Sequence, residues 1–374
     1  MKKINNNLPR GGAEWGRALR RFLSDNIVPI MFVLICAYCI PRADLSWNYL
    51  LNEGMTRLGR NAFLILSLLI PVMAGMGMNF GMTLGAMAGQ IGLIFAADWQ
   101  VWGIPGLILA AIISIPISVL LGIMIGKLLN RAKGREMITS YMIAFAMDGV
   151  YQFFVLFMMG PVIPIIHNTL KLPRGYGIRN TVSLLNMRQS LDNLLAVSVG
   201  GVKIPCLFIL WFRRTKLGQD MRAVGQDMEV ARDAGINVER TRVISMVIST
   251  VFAGFGMIIY LQNVGNFPTY TAHTQIGMFS IAALLVGGAS VEKASIKNVF
   301  LGVILFHTMF IVAPRTGTVI TGDSMIGEYF RVFVSYAVIT IALVMYEAKK
   351  RKAKSAAGLQ LAADQLAEEE AKAK

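Results

Sequence analysis

Residues 213–242 read RRTKLGQDMRAVGQDMEVARDAGINVERTR, and seven of these thirty are Lys or Arg. This is the longest polar run between apolar segments, and it sits just past mid-chain. Met221 to Asp233 carries helix-forming residues, and Gly235 stands just beyond as a helix stop. A short Lys/Arg-rich segment between two spans stays on the cytoplasmic side. Two readings follow. Either a cytosolic partner pushes on this helix as a lever, or the segment is a solvated loop that only fixes topology. Charge alone favours the second.

The flanks decide the fold class. The chain has 374 residues, 55% hydrophobic and 15% charged, against about 25% charged in a soluble domain. Ten apolar segments recur near Ile27–Ile40, Asn61–Met76, Leu84–Ala97, Ile104–Leu129, Ile138–Met159, Leu194–Phe212, Val243–Leu261, Gly277–Gly288, Val299–Val312 and Val332–Tyr346. Runs of this length and composition are membrane helices. The expectation is an all-α polytopic membrane protein with about ten transmembrane helices in two inverted-topology halves of five. A cytoplasmic leader (1–26), a transmembrane domain (27–346) and a cytoplasmic tail (347–374) divide the chain.

Orientation follows from charge. With the N-terminus inside, the cytoplasmic segments hold 26 of the 36 Lys and Arg, as the positive-inside rule requires. Both termini are then cytoplasmic. Arg42, Arg57 and Arg60 fit this rule less well; they belong to an interfacial helix, or the first span is displaced. The net charge of +15 does not indicate nucleic acid, because the basic residues cluster at span ends, where they meet anionic lipid. Arg10 to Asp25 is either an amphipathic surface helix, with Trp15, Leu19 and Phe22 opposite Arg17, Arg20 and Arg21, or a disordered basic leader. It has no cleavage site of the small-x-small kind after Ile40. Cys36, Cys39 and Cys206 all lie in apolar runs, so packing rather than a disulfide framework explains them.

Small residues mark close helix packing. Gly81, Gly85 and Gly89 recur every four residues, as do Ser245, Ser249 and Ala253, and Gly122 pairs with Gly126. Such strips let backbones approach. Gly81-Met82 opens the third span and Gly277-Met278 the eighth. Short glycine-flanked segments at matching positions of two halves point to a substrate path, although both residue types are frequent here. Gly160 to Asn193, with Pro161, Pro164 and Pro173, is polar enough to be external surface.

The residue pattern of the central loop adds more than charge. Thr215-Lys216-Leu217-Gly218, then Arg222-Ala223-Val224-Gly225-Gln226, then Ala231-Arg232-Asp233-Ala234-Gly235-Ile236-Asn237-Val238 resembles the coupling loop of permease subunits of ribose-, nucleoside- and branched-chain-amino-acid-type ABC importers. The resemblance continues through Ser249–Gly256 and Ile281–Ser290, and more weakly through Asn79-Phe80-Gly81 and Glu136–Ala144. It departs from the sugar and nucleoside branch where Met82-Thr83 follows Gly81, so that branch's glutamate is missing. The resemblance implies an ATPase subunit seated on Arg222, Ala223, Gly225, Gln226, Ala231, Arg232, Gly235 and Ile236. It also implies a second permease subunit, identical or homologous, and an external solute-binding protein. The membrane would be the bacterial cytoplasmic membrane. In this reading Gly225 gives a turn between Arg222 and the helix holding Glu229 and Arg232. Ala223, Ala231 and Ala234 leave room for the partner.

Residues for chemistry are few. No GxxxxGK[ST] phosphate loop is present; Gly287-Gly288-Ala289-Ser290-Val291-Glu292-Lys293 comes nearest and lacks the second glycine. Any ATP is therefore bound by a partner chain, and this chain needs no cofactor of its own. HExxH, GxSxG and Cys/His zinc spacing are absent, and three histidines in the whole chain argue against an enzyme. Ionisable residues inside spans are expensive and so informative. Asp148, with Tyr151 and Gln152 on the same face, either lines an aqueous path or ties two helices. His307 is a bundle histidine or a pathway residue, and Asn79 and Gly81 complete the candidate path. Lys203 snorkels to the external surface.

Three function classes compete: an ATP-driven permease subunit for a sugar or nucleoside, or for a branched-chain amino acid; a gradient-driven secondary transporter; and an uncoupled channel or scaffold. The 213–242 element favours the first, since neither alternative needs a docking loop.

Overall fold

The computed structural model describes residues 26–188, 211–290 and 294–333, apart from 213 and 324, together with two short strands at 198–199 and 202–203 and isolated positions from 336 to 348. The leader Arg10–Asp25, nearly all of the tail after Tyr346, Cys206, the Lys203 side chain and most of the spans Leu194–Phe212 and Val332–Tyr346 lie outside the described residues.

The described chain is all-α apart from brief strands. Its helices are α1 (Ile27–Cys39), α2 (Trp47–Met73), α3 (Gly81–Asp98), α4 (Gly103–Arg131), α5 (Glu136–Phe153), α6 (Lys216–Gln226), α7 (Met228–Asp233), α8 (Val238–Val264), α9 (Ala272–Val286) and α10 (Ile296–Thr321), with a further helix over 325–333. A π-helical turn, Phe154–Met158, extends α5. Among them α2, α4, α5 with its extension, α8 and α10 are long and apolar enough to cross a membrane. At about 1.5 Å per residue, a helix of this size exceeds the roughly 30 Å hydrocarbon layer.

The centre is α3, in which 16 of 18 residues are buried. Its glycine strip explains why. A Cβ at Gly85 would lie 2.1 Å from the Thr250 carbonyl oxygen, at Gly89 2.5 Å from that of Gly254, and at Gly92 2.3 Å from that of Ala110. Only hydrogen at those positions lets α3 lie against both α8 and α4. The Gly122–Gly126 pair seats α4 on α8 in the same way, with Val247 Cα 2.8 Å and Val243 Cα 3.0 Å from the added carbons. Hydroxyls then bind across the contacts: Ser249 Oγ donates to Ser67 O of α2 at 2.7 Å, and Thr250 Oγ1 to Ser118 O of α4 at 2.9 Å. Cys36 and Cys39 are buried free thiols, as packing predicts.

Two expectations need correction. Arg42 closes a short helical turn, Ile40–Arg42, after α1, whereas Arg57 and Arg60 do not stand in the loop between the first two spans. They belong to α2, which begins fourteen residues before Asn61. Ser46 caps it by accepting from Tyr49 N, and the Arg57–Glu53 ion pair of 2.8 Å carries its polar first turns. Second, Gly81 does open α3, but α9 begins at Ala272, so Gly277-Met278 lies in its second turn. The two dipeptides do not occupy matching positions. Instead Gly277 makes room for Thr83, whose Cγ2 would meet an added Cβ at 2.4 Å.

Opposite the 213–242 loop, the segment after α5 is held down. Asp98, at the end of α3, accepts from the Ile166 and His167 amides at 2.9 Å. A short strand, Thr181–Ser183, pairs antiparallel with another, Asn266–Pro268, after α8, and the Tyr270 hydroxyl donates to Ile178 O.

Candidate functional site

Residues 213–242 fold as two short helices rather than one. Thr215 caps α6 by accepting from Gly218 N. The break falls at Asp227, whose extended backbone (φ −156°, ψ 119°) ends α6 and whose carboxylate caps α7 through the Glu229 and Val230 amides. Gly235, at φ +83°, terminates α7 as expected, and Asn237 caps α8. Gly225 does not make the turn. It is inside α6, and its missing side chain serves close approach: a Cβ there would sit 2.2 Å from Met73 O at the end of α2. Ala231 is likewise not an open platform. At 3% exposure it fills a seam with Val224 and Val238, bordered by Ala223 and Ile236. Arg222, Gln226, Val230 and Arg232 remain on the exposed side.

Ionic contacts clamp this element to the α4–α5 turn. Glu239 binds Lys133 at 2.8 Å and Arg232 at 3.3 Å. Arg242 is fully buried, with Nη2 2.8 Å from Glu136 Oε1 and Nε donating to Asn130 Oδ1 at 2.9 Å. Sequence reasoning counted Arg242 only as a topology charge. Its spacing from Glu136, 106 residues away, gave no signal of the pair.

Asp148 borders a small cavity of about 50 Å³, lined by Phe80, Thr83, Tyr141, Phe145 and His273 among others. Its Oδ1 is 2.7 Å from His273 Nε2, and its Oδ2 accepts from Gln152 Nε2 at 3.0 Å. His273 Nδ1 lies 2.8 Å from Gln90 Oε1 on α3. A protonated ring donates to both oxygens. A neutral ring donates to Asp148 and accepts from Gln90 once that amide turns over. Asp148 therefore ties α5 to α9 and α3, and it also faces a cavity. Tyr151 is buried behind it, its hydroxyl donating to Thr269 O at 3.0 Å and its ring edge-on to His273.

The other sequence candidates sit elsewhere. Asn79, 1% exposed, closes the α2–α3 turn by accepting from Gly81 N and donating to Gly77 O. Gly81 packs against Met246. Neither lines the Asp148 cavity; Phe80 between them does. His307 lines a separate, larger cavity. His273 escaped notice because the eighth apolar run was started at Gly277. A single ionisable residue one turn before that run was the available signal.

A family model described as branched-chain amino acid transport system / permease component matches residues 53–343. The nucleoside ABC transporter permease protein NupB of Lactococcus lactis is 24% identical over 310 residues, 78% of this chain and 79% of that protein. The autoinducer 2 import system permease protein LsrC of an Enterobacter species is 31% identical over 121 residues, 30% of this chain and 35% of its own. The galactose/methyl galactoside import permease protein MglC of Haemophilus influenzae is 26% identical over 150 residues, 40% of this chain and 42% of its own. No solved structure matches.

Proposed function

The chain belongs to the permease-component family of branched-chain amino acid transport systems, and from that premise we propose that it is the membrane subunit of an ATP-driven importer for a simple sugar or nucleoside. Relatives named for nucleosides and for galactose support that substrate class over branched-chain amino acids. The subunit works with a second permease, a separate ATPase and an external solute-binding protein, in the bacterial cytoplasmic membrane with both termini inside.

One observation carries the coupling. The 213–242 element is wedged against the end of α2 by Gly225 and clamped to the α4–α5 turn through Arg242–Glu136. A force on its exposed face, Arg222 to Arg232, therefore reaches α2, α4, α5 and α8 directly. The solute crosses beside α5, at Tyr141, Asp148 and Gln152, where a second permease subunit closes the path.

Reconstitution tests this. In proteoliposomes the chain alone should neither hydrolyse ATP nor accumulate sugar. Adding the ATPase and the loaded binding protein should give ATP-dependent uptake. Ion-gradient-driven uptake by the chain alone would overturn the reading in favour of a secondary transporter with Asp148–His273 as its coupling pair.

A further inference from the structure

The segment after α5 forms a cap on the side opposite the 213–242 element. From Gly149 to Leu191 the chain holds no Asp or Glu, yet Lys171, Arg174, Arg179 and Arg188 stand there. Arg174, Arg179 and Arg188 are exposed and Lys171 is half-buried. Their polar partners are neutral. Lys171 Nζ donates to Asn168 Oδ1, Arg174 to Leu156 O and Tyr176 O, and Arg179 Nε to Lys171 O. Among the described residues no carboxylate pairs with any of the four. Asp98, the carboxylate that holds the cap down, is buried and already accepts from the Ile166 and His167 amides. The adjoining loop 265–271 carries no charged residue. The cap is therefore a fixed cationic surface. Val162, Ile166 and Leu185 add exposed apolar area within the same segment. Apolar residues interspersed with arginine suit a protein interface.

A second observation links this surface to Asp148. The π-helical turn Phe154–Met158 begins six residues after Asp148 and extends the same helix. A π-turn holds one residue more than the α-turn it replaces, and such turns are frequent at functional sites. Releasing that residue would rotate the Asp148 face by about 100° relative to the cap. The cap grips this turn. Ile178 N donates to Val155 O at 3.1 Å, Gly177 N to Met159 O at 2.8 Å, and Arg174 Nη2 to Leu156 O at 3.1 Å. The Arg174 guanidinium also lies over the Tyr176 and Phe157 rings, 4.4 and 5.3 Å from their centroids. Of the four cations, Arg174 is thus the one bonded to the end of α5.

We propose, resting on the importer reading above, that this cap receives an acidic face of the external solute-binding protein, and that docking reaches the Asp148 path through Arg174 and the π-turn. Carboxylates fixed on a folded partner match cations fixed by strand pairing and by the Asp98 clamp. Fluid lipid headgroups need no such fixed arrangement. A partner carboxylate takes the Arg174 guanidinium into a charge-assisted pair, which is stronger than its bond to the neutral Leu156 O. Docking then draws the clasp off the π-turn and frees α5 to change register.

The test uses the full chain with its ATPase in phosphatidylcholine nanodiscs, and the loaded solute-binding protein of the reconstitution above as the probe. Binding affinity and stimulated ATP hydrolysis are read at low and high NaCl. The variants are Arg179→Glu, Arg188→Glu, Arg174→Gln and Arg174→Lys, with Lys127→Glu, exposed on α4, as the charge control. Arg179→Glu and Arg188→Glu should each weaken binding about tenfold and flatten its salt dependence, whereas Lys127→Glu should leave binding unchanged. Arg174→Gln should weaken binding and abolish stimulation. Arg174→Lys keeps the charge without the planar guanidinium, so it should bind within about threefold of the parent and still lose stimulation. Parental stimulation by Arg174→Lys overturns the π-turn link. No binding to the parental chain, or binding equal in all variants, overturns the surface. Binding that needs added phosphatidylglycerol and is equal in all variants assigns the cations to lipid and overturns it too. Variant-dependent binding without ATP-dependent uptake would end the importer reading and leave the docking surface standing. Arg188 is exposed, so its variant reads the surface even where Arg179→Glu fails to fold.

Discussion

At the scale of single residues, two buried pairs behave differently. Arg242 is fully buried and Glu136 nearly so. Removing one partner of a buried ion pair leaves an uncompensated charge, at a cost of about 3–5 kcal/mol. Glu136→Ala should therefore lower the yield and melting temperature of the folded permease sharply, while Glu239→Ala, at an exposed pair, should change stability by less than about 1 kcal/mol. Equal melting temperatures for the two variants would remove Arg242–Glu136 as the anchor of the coupling element. Asp148 and His273 pose a subtler case. Asp148→Leu strands His273 Nε2 and should cost about 1–3 kcal/mol, whereas replacing both groups by apolar ones should cost less. If the double variant Asp148→Leu/His273→Phe folds well yet fails to transport with ATPase and binding protein present, Asp148 serves the path. Normal transport by that double variant would make it a helix tie only.

At the scale of the element, the geometry of α6 and α7 separates packing from docking. Ala231→Trp would overfill the Val224–Val238 seam, at about 1–3 kcal/mol, so its effect reports the loop's own fold. Arg232→Glu and Val230→Glu change exposed positions, Val230 being 64% exposed, and should leave the permease itself stable. Truncating or reversing a charge buried by a partner costs about 2–5 kcal/mol. Both variants should therefore lose substrate-stimulated ATP hydrolysis and weaken co-purification of the ATPase, with Lys350→Glu in the tail as an inert control. Parental coupling in both would leave the loop as a topology signal. Gly225→Val should differ from either. It pushes α6 off Met73, so the ATPase should still co-purify while uptake is uncoupled from hydrolysis.

At the scale of the whole molecule, the packing is lopsided. The α3 helix and its glycine contacts form a dense centre, whereas α5 turns Ile138, Tyr141, Met142 and Phe145 outward, Phe145 at 73% exposure. The Asp148 cavity opens on that face. A second permease subunit there would close the path, and lipid would cover the remaining apolar rim. A benzophenone photo-crosslinker at Phe145 should capture a permease subunit in the assembled complex, and one at Ile320 on α10 should not. Capture at Ile320 alone would move the subunit interface to the opposite side.

The order of apolar and polar runs determined the membrane class, most of the described helices and the small-residue strips, because helix formation and burial in lipid depend on local composition. It also marked Gly235 as a stop and the 213–242 segment as the element joining two spans. Tertiary structure alone decided the rest. Whether Gly225 turns or approaches, whether Ala231 faces a partner or a seam, and that Arg242 meets Glu136 all depend on contacts between residues distant in the chain. The same holds for Asp148. Its spacing to Tyr151 and Gln152 is a property of one helix and was legible. Its bond to His273, 125 residues away, arises only when α9 packs against α5, and no periodicity within either helix encodes that pairing.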